Sequence, residues 1–313
     1  MDRRELLAAG ITMAAAAATG TAQNAAPPAA APPAVATKGE ILTRKIPSSG
    51  EALPVIGLGT SGPFEVGNAA NERAPLQSVL EAFFANGGRL IDTSPMYSTA
   101  EAVLGDLFTP EMHQKMFLAT KVWTRGAKEG VEQMTRSAQL MKHPKLDLIQ
   151  VHNLLDVDTH LKTLHKWKDE GRVRYIGITH YIVSAHADLE RIITKEKIDF
   201  VQLNYSAITR SAEKKLLPLA VDRGVAVLVN RPYEDGAVFD KTRDKPLPAW
   251  AADIDCTSWG QLLLKYIVSN PAVTCVIPAT SKVKHVLDNL DSGRGRMPDA
   301  RQRQQIVQAI AAL

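Results

Sequence analysis

Four side chains that can move or hold a proton occur at the ends of neighbouring apolar segments: Asp92, Tyr97, Lys121 and His152. Each has an ordinary structural explanation when taken singly. An Asp at a strand end is usually a cap or turn residue, a Lys there is often a surface charge, and a lone His is more often structural than catalytic. Their occurrence together, in this order, favours one shared site.

Together the four side chains suit the protonation of an alkoxide, which forms when a carbonyl group accepts a hydride. A Tyr hydroxyl has an ordinary pKa of about 10, which is too high for easy proton transfer near neutrality. A Lys ammonium beside Tyr97 is expected to lower that pKa, and Asp92 is expected to hold Lys121 charged and in place. His152 could then hydrogen-bond the carbonyl oxygen while a nicotinamide supplies the hydride.

The segments that must position these residues alternate along the chain from residue 40 onward. A predicted hairpin comes first, with arms at residues 41–46 and 53–55 around the turn Pro47-Ser48-Ser49-Gly50. Continuous apolar segments of strand length follow, which is typical of strands buried on both faces of a parallel sheet. These eight predicted strands are residues 56–59, 90–92, 116–120, 146–151, 175–178, 200–203, 226–229 and 273–277.

Amphipathic helical patterns separate the predicted strands. One apolar stripe, within residues 76–84, stops at Asn86-Gly87-Gly88, and further stripes occur within residues 161–167, 189–193, 216–220 and 259–266. Strands and helices that alternate eight times predict an α/β protein, a (β/α)8 TIM barrel. Because catalytic groups of such barrels follow the strands, Asp92, Lys121 and His152 should meet at one mouth.

An open doubly wound sheet is the alternative architecture. It is disfavoured because no G-x-G-x-x-G motif follows the first barrel strand. The segment at residues 57–62, G-L-G-T-S-G, comes close but has the wrong final spacing, and Pro63 sits where the helix should begin.

Several segments resemble those of the aldo/keto reductase superfamily, and the resemblance covers about residues 40–292. They are D-T-S-P-M-Y-S-T-A-E at 92–101, L-A-T-K at 118–121, Q-V-H-N at 150–153, G-R-V-R-Y-I-G-I-T at 171–179, and V-I-P-A-T-S-K at 276–282 with D-N at 288–289. The resemblance implies an NAD(P)H-dependent reductase of an aldehyde or ketone, in which Tyr97 is the proton donor. It also implies that the N-terminal β-hairpin closes the barrel floor.

The resemblance further implies a cofactor site along the same mouth. Gly59 and Thr60 would line the cofactor cleft, and Gln202 would contact the nicotinamide carboxamide. The remaining candidate cofactor residues are Thr179 and His180 after the fifth strand, Asn230 and Arg231 after the seventh, Thr280, Ser281, Lys282 and His285 at the adenosine phosphate, and Asn289 at the adenine.

Three positions depart from the family pattern. His180 replaces an amide that holds the carboxamide, so that contact is in question. Asn230 stands where an aromatic residue usually stacks on the nicotinamide, so either Tyr233 folds back or the cofactor is held without that stack. His285 replaces a phosphate-binding Arg, for which Lys282 can compensate, so the prediction favours NADPH over NADH.

The N-terminus, residues 1–22, resembles a twin-arginine-type signal peptide: Arg3-Arg4 precede an Ala-rich apolar stretch, and Gly20-Thr21-Ala22 resembles a cleavage site. Residues 23–39 form a predicted Ala/Pro-rich linker, and residues 40–313 form the barrel domain. We therefore expect folded export to the periplasm by the twin-arginine machinery, without stable membrane insertion because the apolar stretch is short. If this segment is instead a disordered tail, the location is cytoplasmic.

Composition excludes some classes of function. The net charge of +4, from 37 basic and 33 acidic residues, is spread along the chain, so no nucleic-acid-binding arm is expected. The two cysteines lack paired spacing, which disfavours a metal site, and Cys275 is expected to be a buried free thiol.

Two other functions remain open from the residues alone. One is a non-enzymatic nicotinamide-nucleotide sensor or auxiliary subunit on the same scaffold, which the altered positions His180 and Asn230 favour. The other is a metal-dependent hydrolase or lyase that uses Asp92 and His152. The charged loop at residues 233–255 is either a lid or a passive surface excursion, and residues 299–313 predict a final helix.

Overall fold

A computed structural model of the chain describes residues 39–313. The predicted signal peptide at residues 1–22, and the predicted linker apart from residue 39, lie outside the described residues. The described part contains ten strands and eleven α-helices, and the predicted hairpin, the eight predicted barrel strands and the predicted helices occur in the predicted order.

The core of the fold is a parallel barrel. Its strands are β3 (Leu58–Gly59), β4 (Leu90–Asp92), β5 (Phe117–Val122), β6 (Leu148–His152), β7 (Tyr175–Thr179), β8 (Phe200–Asn204), β9 (Ala226–Asn230) and β10 (Cys275–Val276). Each pairs in parallel with the next, and bridges from Ile56 to Val276 and from Gly59 to Ala279 join the first strand to the last. The (β/α)8 barrel is therefore confirmed, and the open sheet is excluded because its two edges pair.

Gly59 is required by this closure. A Cβ at Gly59 would lie 2.7 Å from the carbonyl oxygen of Ile277, closer than a side-chain carbon can approach. A residue without a side chain lets the first and last strands come together here.

An antiparallel hairpin closes the floor of the barrel, as the resemblance implies. Its strands are β1 (Thr43–Lys45) and β2 (Ala52–Pro54), with Thr43 opposite Pro54. Ile46 and Leu53 flank its turn and are fully buried in the cluster that fills the barrel interior. The Arg44 guanidinium donates to the carbonyls of Asn270 at 2.6 Å and Val268 at 2.7 Å, which fixes the hairpin to the last βα unit.

Helices surround the barrel. They are α1 (Ala70–Ala85), α2 (Ala100–Leu107), α3 (Pro110–Lys115), α4 (Ala127–Leu140), α5 (Val157–Asp169), α6 (His186–Lys195), α7 (Leu216–Asp222), α8 (Ala237–Thr242), α9 (Trp259–Val268), α10 (Val283–Asp291) and α11 (Ala300–Ala311). The apolar stripes in the sequence correspond to α1, α5, α6, α7 and α9, and the predicted final helix is α11. Helix α4 has no such stripe because it buries only Gly130, Met134 and Ser137.

The segment predicted as a loop at residues 233–255 contains short helical elements. A 3-10 turn at Glu234–Gly236 leads into α8, and a second 3-10 segment spans Ala249–Ile254. These helices have only one or two turns, which is too short to show an apolar period. The charged and proline residues of the segment therefore led to its prediction as a loop.

The remaining expectations concern cysteines and membrane contact. Cys256 and Cys275 are both buried free thiols, so Cys275 is as predicted. Within residues 39–313, no helix has the length and apolar character needed to cross a bilayer.

Candidate active site

The four proton-handling residues lie on three adjacent strands at the carboxyl end of the barrel. Asp92 ends β4, Lys121 lies near the end of β5, and His152 ends β6, while Tyr97 follows β4 in the loop before α2. In the register, Asp92 lies beside Ala119, two residues before Lys121, and Lys121 lies beside Gln150, two residues before His152. A step of two residues keeps the same face of a strand, so all three side chains face the barrel interior near its carboxyl end. The predicted convergence at one mouth is therefore present.

Asp92 and Lys121 form a buried ion pair. The Lys121 Nζ lies 2.5 Å from Asp92 Oδ2 and donates to the carbonyl oxygen of Thr93 at 2.8 Å. The Lys121 side chain is fully buried and that of Asp92 is 3% exposed. Burial acts to lower the pKa of Lys121, but the Asp92 carboxylate and the Tyr97 hydroxyl outweigh burial. The net pKa is raised, so Lys121 stays charged.

Tyr97 lies beside this pair. The Lys121 Nζ is 4.8 Å from the centroid of the Tyr97 ring. Burial raises the pKa of Tyr97, and Asp92 raises it as well, while Lys121 lowers it. Lys121 thus lowers the pKa of Tyr97 as expected, but burial has the larger influence, so the net pKa lies above the ordinary value. Tyr97 keeps its proton at neutral pH and is able to donate it.

His152 is held neutral and oriented. Its ring is perpendicular to that of Tyr97, with the centroids 5.9 Å apart, and its Nδ1 lies 3.0 Å from Ser94 Oγ. Burial, together with the charges of Lys121 and His180, lowers the pKa of His152 to about 3. A neutral imidazole whose Nδ1 accepts from Ser94 carries its hydrogen on Nε2, where it can be donated to a carbonyl oxygen.

A row of amide side chains continues from Asp92 across the barrel mouth. Gln150 and Gln202 both donate to Asp92 Oδ1, at 3.1 Å and 2.9 Å. Asn230 donates to Gln202 Oε1 at 3.2 Å and to the carbonyl of His180 at 3.4 Å. The Asn230 Oδ1 is buried and has no hydrogen-bond partner within residues 39–313. The Gln202 Nε2 therefore donates to groups within the protein, whereas the Asn230 Oδ1 accepts no hydrogen bond from the described residues.

A cavity of about 650 Å³, a size typical of small-molecule sites, opens at this mouth. Thr60 is fixed in its wall by a hydrogen bond from its hydroxyl to the Asp92 carbonyl at 3.1 Å. The predicted site residues in the lining are Gly59, Thr60, Asp92, Tyr97, His152, Thr179, Gln202, Asn230 and Arg231.

The other predicted cofactor residues lie outside the cavity lining. His180 stacks on Tyr181, with ring centroids 5.5 Å apart, and its Nδ1 accepts from the Tyr181 amide. Ser281, Lys282 and His285 are exposed around the start of α10, and the hydroxyl of buried Thr280 accepts from the Lys282 amide at 3.1 Å.

Asn289 is buried on α10, and its Oδ1 accepts from the Tyr233 hydroxyl at 2.8 Å. That oxygen already has a partner within the protein. The Tyr233 ring lies 4.8 Å from that of Phe239, and both side chains line the cavity. An aromatic wall is thus present, although Tyr233 comes later in the chain than the family pattern has it.

Arg231 joins the loops that follow β7 and β9. Its guanidinium forms two hydrogen bonds to the Asp235 carboxylate, at 2.6 Å and 3.0 Å, and donates to the Tyr181 carbonyl at 3.3 Å. Asp235 and Gly236 also line the cavity. The start of the segment at residues 233–255 therefore forms part of the cavity wall.

Sequence reasoning gave no role to several residues of the site. Gln150 was detectable, since it lies two residues before His152 on one strand and so shares its face. Ser94 and Asn153 lie in loops, where no periodicity indicates a direction. The same holds for Met96 and Tyr181, whereas Phe239 lies on the short helix α8; the cavity lining includes all three.

The sequence is similar to known proteins of one enzyme family. The aldo/keto reductase family matches residues 55–309. The methylglyoxal reductase YeaE of Escherichia coli is 25% identical over 245 residues, covering 76% of this chain and 84% of that protein. An NADH-specific methylglyoxal reductase of the same organism is 27% identical, covering 64% of this chain and 71% of that protein.

Solved structures agree in fold. An aldo-keto reductase from Klebsiella pneumoniae in complex with NADPH superposes with a TM-score of 0.71 at 22% identity, covering 88% of this chain and 95% of that one. The holo form of the aldo-keto reductase AKR11C1 from Bacillus halodurans gives a TM-score of 0.70 at 20% identity, covering 87% and 96%.

Proposed function

This chain belongs to the aldo/keto reductase family and catalyses NAD(P)H-dependent reduction of an aldehyde or ketone, and we propose that Asp92, Tyr97, Lys121 and His152 carry out that reaction. The observation that carries the assignment is the buried Asp92–Lys121 pair beside Tyr97, with Asp92 and Tyr97 in the cavity lining. Burial of an ion pair costs free energy because each charge loses its hydration, so stability alone does not explain why this pair lies at the barrel mouth.

The cavity residues fit a nicotinamide cofactor. The buried Asn230 Oδ1 has no hydrogen-bond partner among the described residues 39–313, and a carboxamide is a group that could donate to it. Thr179, Gln202 and Asn230 would hold the nicotinamide end, with Gly59 and Thr60 along the cleft. When bound, the reduced nicotinamide supplies the hydride.

Tyr97 delivers the proton. Its hydroxyl stays protonated because burial raises its pKa, and it transfers the proton from Oη to the oxygen of the carbonyl as negative charge develops there. The Lys121 ammonium then stabilises the phenolate that remains. Asp92 keeps Lys121 in place and charged, and so acts through Lys121 rather than on the substrate.

His152 orients the substrate. A neutral imidazole donates from Nε2 to the carbonyl oxygen without competing with Tyr97 for the proton, because its pKa of about 3 leaves it uncharged. Ser94 fixes the ring through Nδ1. Preorganised donors of this kind stabilise the developing alkoxide with little rearrangement.

NADPH is the proposed cofactor. Lys282, with Ser281 and His285, offers an exposed cationic position at the start of α10, where a 2′-phosphate could bind. The Klebsiella structure contains NADPH, whereas one Escherichia coli relative is NADH-specific. Fluorescence titration of the protein with each nucleotide distinguishes them, and a Lys282→Ala variant should weaken NADPH binding more than NADH binding.

Small aldehydes and ketones are the proposed substrates, in keeping with the two methylglyoxal reductases among the relatives. The direct test follows absorbance at 340 nm with NADPH and 4-nitrobenzaldehyde, with Tyr97→Phe as the control. Turnover that the variant loses supports the assignment. Nucleotide binding without turnover of any carbonyl compound would favour a nucleotide sensor instead.

Export is proposed from the N-terminal sequence. Arg3-Arg4 followed by an Ala-rich stretch supports a twin-arginine-type leader over residues 1–22, and hence a folded protein delivered to the periplasm. Fractionation of cells that express the full chain should find a shortened protein in the periplasm. Replacement of both arginines by lysine should retain it in the cytoplasm, whereas an unchanged distribution would exclude this route.

A further inference from the structure

A second cavity lies outside the barrel, between helices α4 and α5 and strand β6. It has a volume of about 230 Å³ and shares no lining residue with the catalytic cavity. Leu146 comes just before β6, and Gly171 and Arg172 come between α5 and β7, so these lining residues lie near the amino ends of the strands. The cavity is therefore at the floor end of the barrel, whereas Tyr97 lies at the mouth.

Small side chains of α4 leave room for this cavity. Thr135 and Ala138 line it from α4, where larger apolar residues would fill the space between the helices. Its inner wall includes the buried side chains of Met134, Leu146 and Ile149. Protein interiors are usually close-packed, and an apolar cavity of about 150 Å³ is enough to bind benzene. The cavity can therefore accept an apolar group of the size of one aromatic ring.

Trp167 and Arg172 form a stacked pair in the cavity wall. The guanidinium carbon of Arg172 lies 3.8 Å from the centroid of the Trp167 ring, and both residues belong to the lining. Stacking covers one face of a guanidinium but leaves its N–H groups, which point outward in its plane, able to bind a ligand. The Glu170 carboxylate lies 3.9 Å from the guanidinium, which is too far for a hydrogen bond.

The charge at the cavity is positive. Exposed Lys145 adds a second cation to the lining, and among residues 39–313 no Asp or Glu belongs to it. The Glu170 carboxylate, outside the lining, also lies 3.8 Å from Lys166. An arginine binds a carboxylate through two parallel hydrogen bonds, which are stronger than those between neutral groups. The cavity therefore combines an apolar interior with an edge that favours one negative charge.

We propose that this cavity is a binding site for a small monocarboxylate whose apolar group is the size of one aromatic ring. The apolar group lies against Met134, Leu146 and Ile149, and the carboxylate accepts hydrogen bonds from Arg172, with Lys145 adding positive charge. This binding is separate from the carbonyl reaction, because the two cavities share no residue.

The first experiment measures the binding of 3-phenylpropanoate to the full chain by isothermal titration calorimetry. Two compounds serve as controls: 3-phenylpropan-1-ol keeps the ring without the charge, and propanoate keeps the charge without the ring. We expect saturable binding of 3-phenylpropanoate with a dissociation constant below about 1 mM, and roughly tenfold weaker binding of each control. Absence of saturable binding, or equal binding of either control, would overturn the proposal.

Two variants test the location. Arg172→Gln removes the stacked cation, and Ala138→Phe fills the cavity, so each should weaken 3-phenylpropanoate binding by roughly tenfold. Arg136→Gln removes an exposed cation of α4 outside the lining and should leave the affinity within about twofold. Thermal unfolding of each variant checks that it is folded. An equal loss of affinity in Arg136→Gln would show attraction by net charge alone and would contradict a specific site.

The catalytic mouth is the other place where a carboxylate could bind, because its donors face a cavity. His152→Gln alters those donors and leaves the cavity between α4 and α5 unchanged. Binding that survives in His152→Gln and falls in Arg172→Gln supports the proposed site. The reverse pattern would assign the ligand to the mouth and overturn the inference, whatever the outcome of the carbonyl reductase assay.

Discussion

The two ends of the barrel interior are built on the same strands and differ completely in chemistry. At the floor, the inward-facing residues form an apolar cluster that includes Leu90, Ala119, Leu148, Phe200 and Leu228. Two residues further along each strand, the mouth has Asp92, Lys121, Gln150, Gln202 and Asn230. A step of two residues preserves the face of a strand, so the change from floor to mouth is purely one of side-chain type.

The floor is stabilised by aromatic packing. The rings of Phe117, Tyr175 and Phe200 lie 5.6–5.9 Å apart, pair by pair, above the hairpin residues Ile46 and Leu53. The Tyr175 hydroxyl donates to Ser49 Oγ at 2.7 Å, and the rest of this cluster is apolar, so burial of apolar surface is its main source of stability.

The mouth keeps buried polar groups through hydrogen bonds. The Asp92 carboxylate alone accepts from Lys121, Gln150 and Gln202. These bonds offset the loss of hydration but add little net stability. Substitutions at the floor should therefore change the free energy of unfolding, whereas substitutions at the mouth should change catalysis.

The largest expected effect is at the mouth. Tyr97→Phe removes the proton donor and keeps the ring, so kcat should fall by about 10²–10⁴-fold, the usual contribution of a general acid. The unfolding temperature should hardly change. Steady-state kinetics at 340 nm and thermal denaturation check both, and a variant with full activity would remove Tyr97 from the mechanism.

The matching change at the floor should act on stability alone. Phe117→Ala removes one ring of the aromatic group and leaves a cavity, so the free energy of unfolding should fall by about 3–5 kcal/mol. Denaturant unfolding measures that loss. Below the transition, kcat should stay within about twofold of the wild-type value, and a much larger loss would show that the two ends are coupled.

A smaller effect is expected at the cofactor side of the mouth. Asn230→Ala removes the unpartnered acceptor together with its bonds to Gln202 and His180, so NADPH affinity should fall by roughly tenfold. Fluorescence titration measures the dissociation constant. Val221→Ala, at an exposed residue of α7 outside the cavity lining, serves as the comparison, and equal losses would argue against a specific role for Asn230.

The smallest effect concerns pH. The folded-state pKa of His152 lies below its ordinary value, at about 3, so the ring is already neutral across the neutral and mildly acidic range. Protonation of His152 should therefore cause no fall in kcat/KM between about pH 8 and pH 5. Profiles of the wild-type protein and His152→Gln should have the same shape, and an inflection near pH 6.5 in the wild-type protein alone would contradict the low pKa.

Much of the fold was predictable because parallel strands and amphipathic helices have distinct apolar periods. All eight barrel strands lie at or within about two residues of the predicted segments, and the hairpin is where its turn residues indicate. The elements that escaped prediction, such as α4 and α8, are short or pack through small residues. Their position depends on the surfaces they meet rather than on a period of their own.

The sequence by itself determined which chemical groups stand at the strand ends, and so the convergence of Asp92, Lys121 and His152, because strand order and side-chain alternation are local properties. Only the tertiary structure decided how those groups behave. The net rise in the Tyr97 pKa and the partner of Asn289 both depend on burial and distance among residues far apart in the chain.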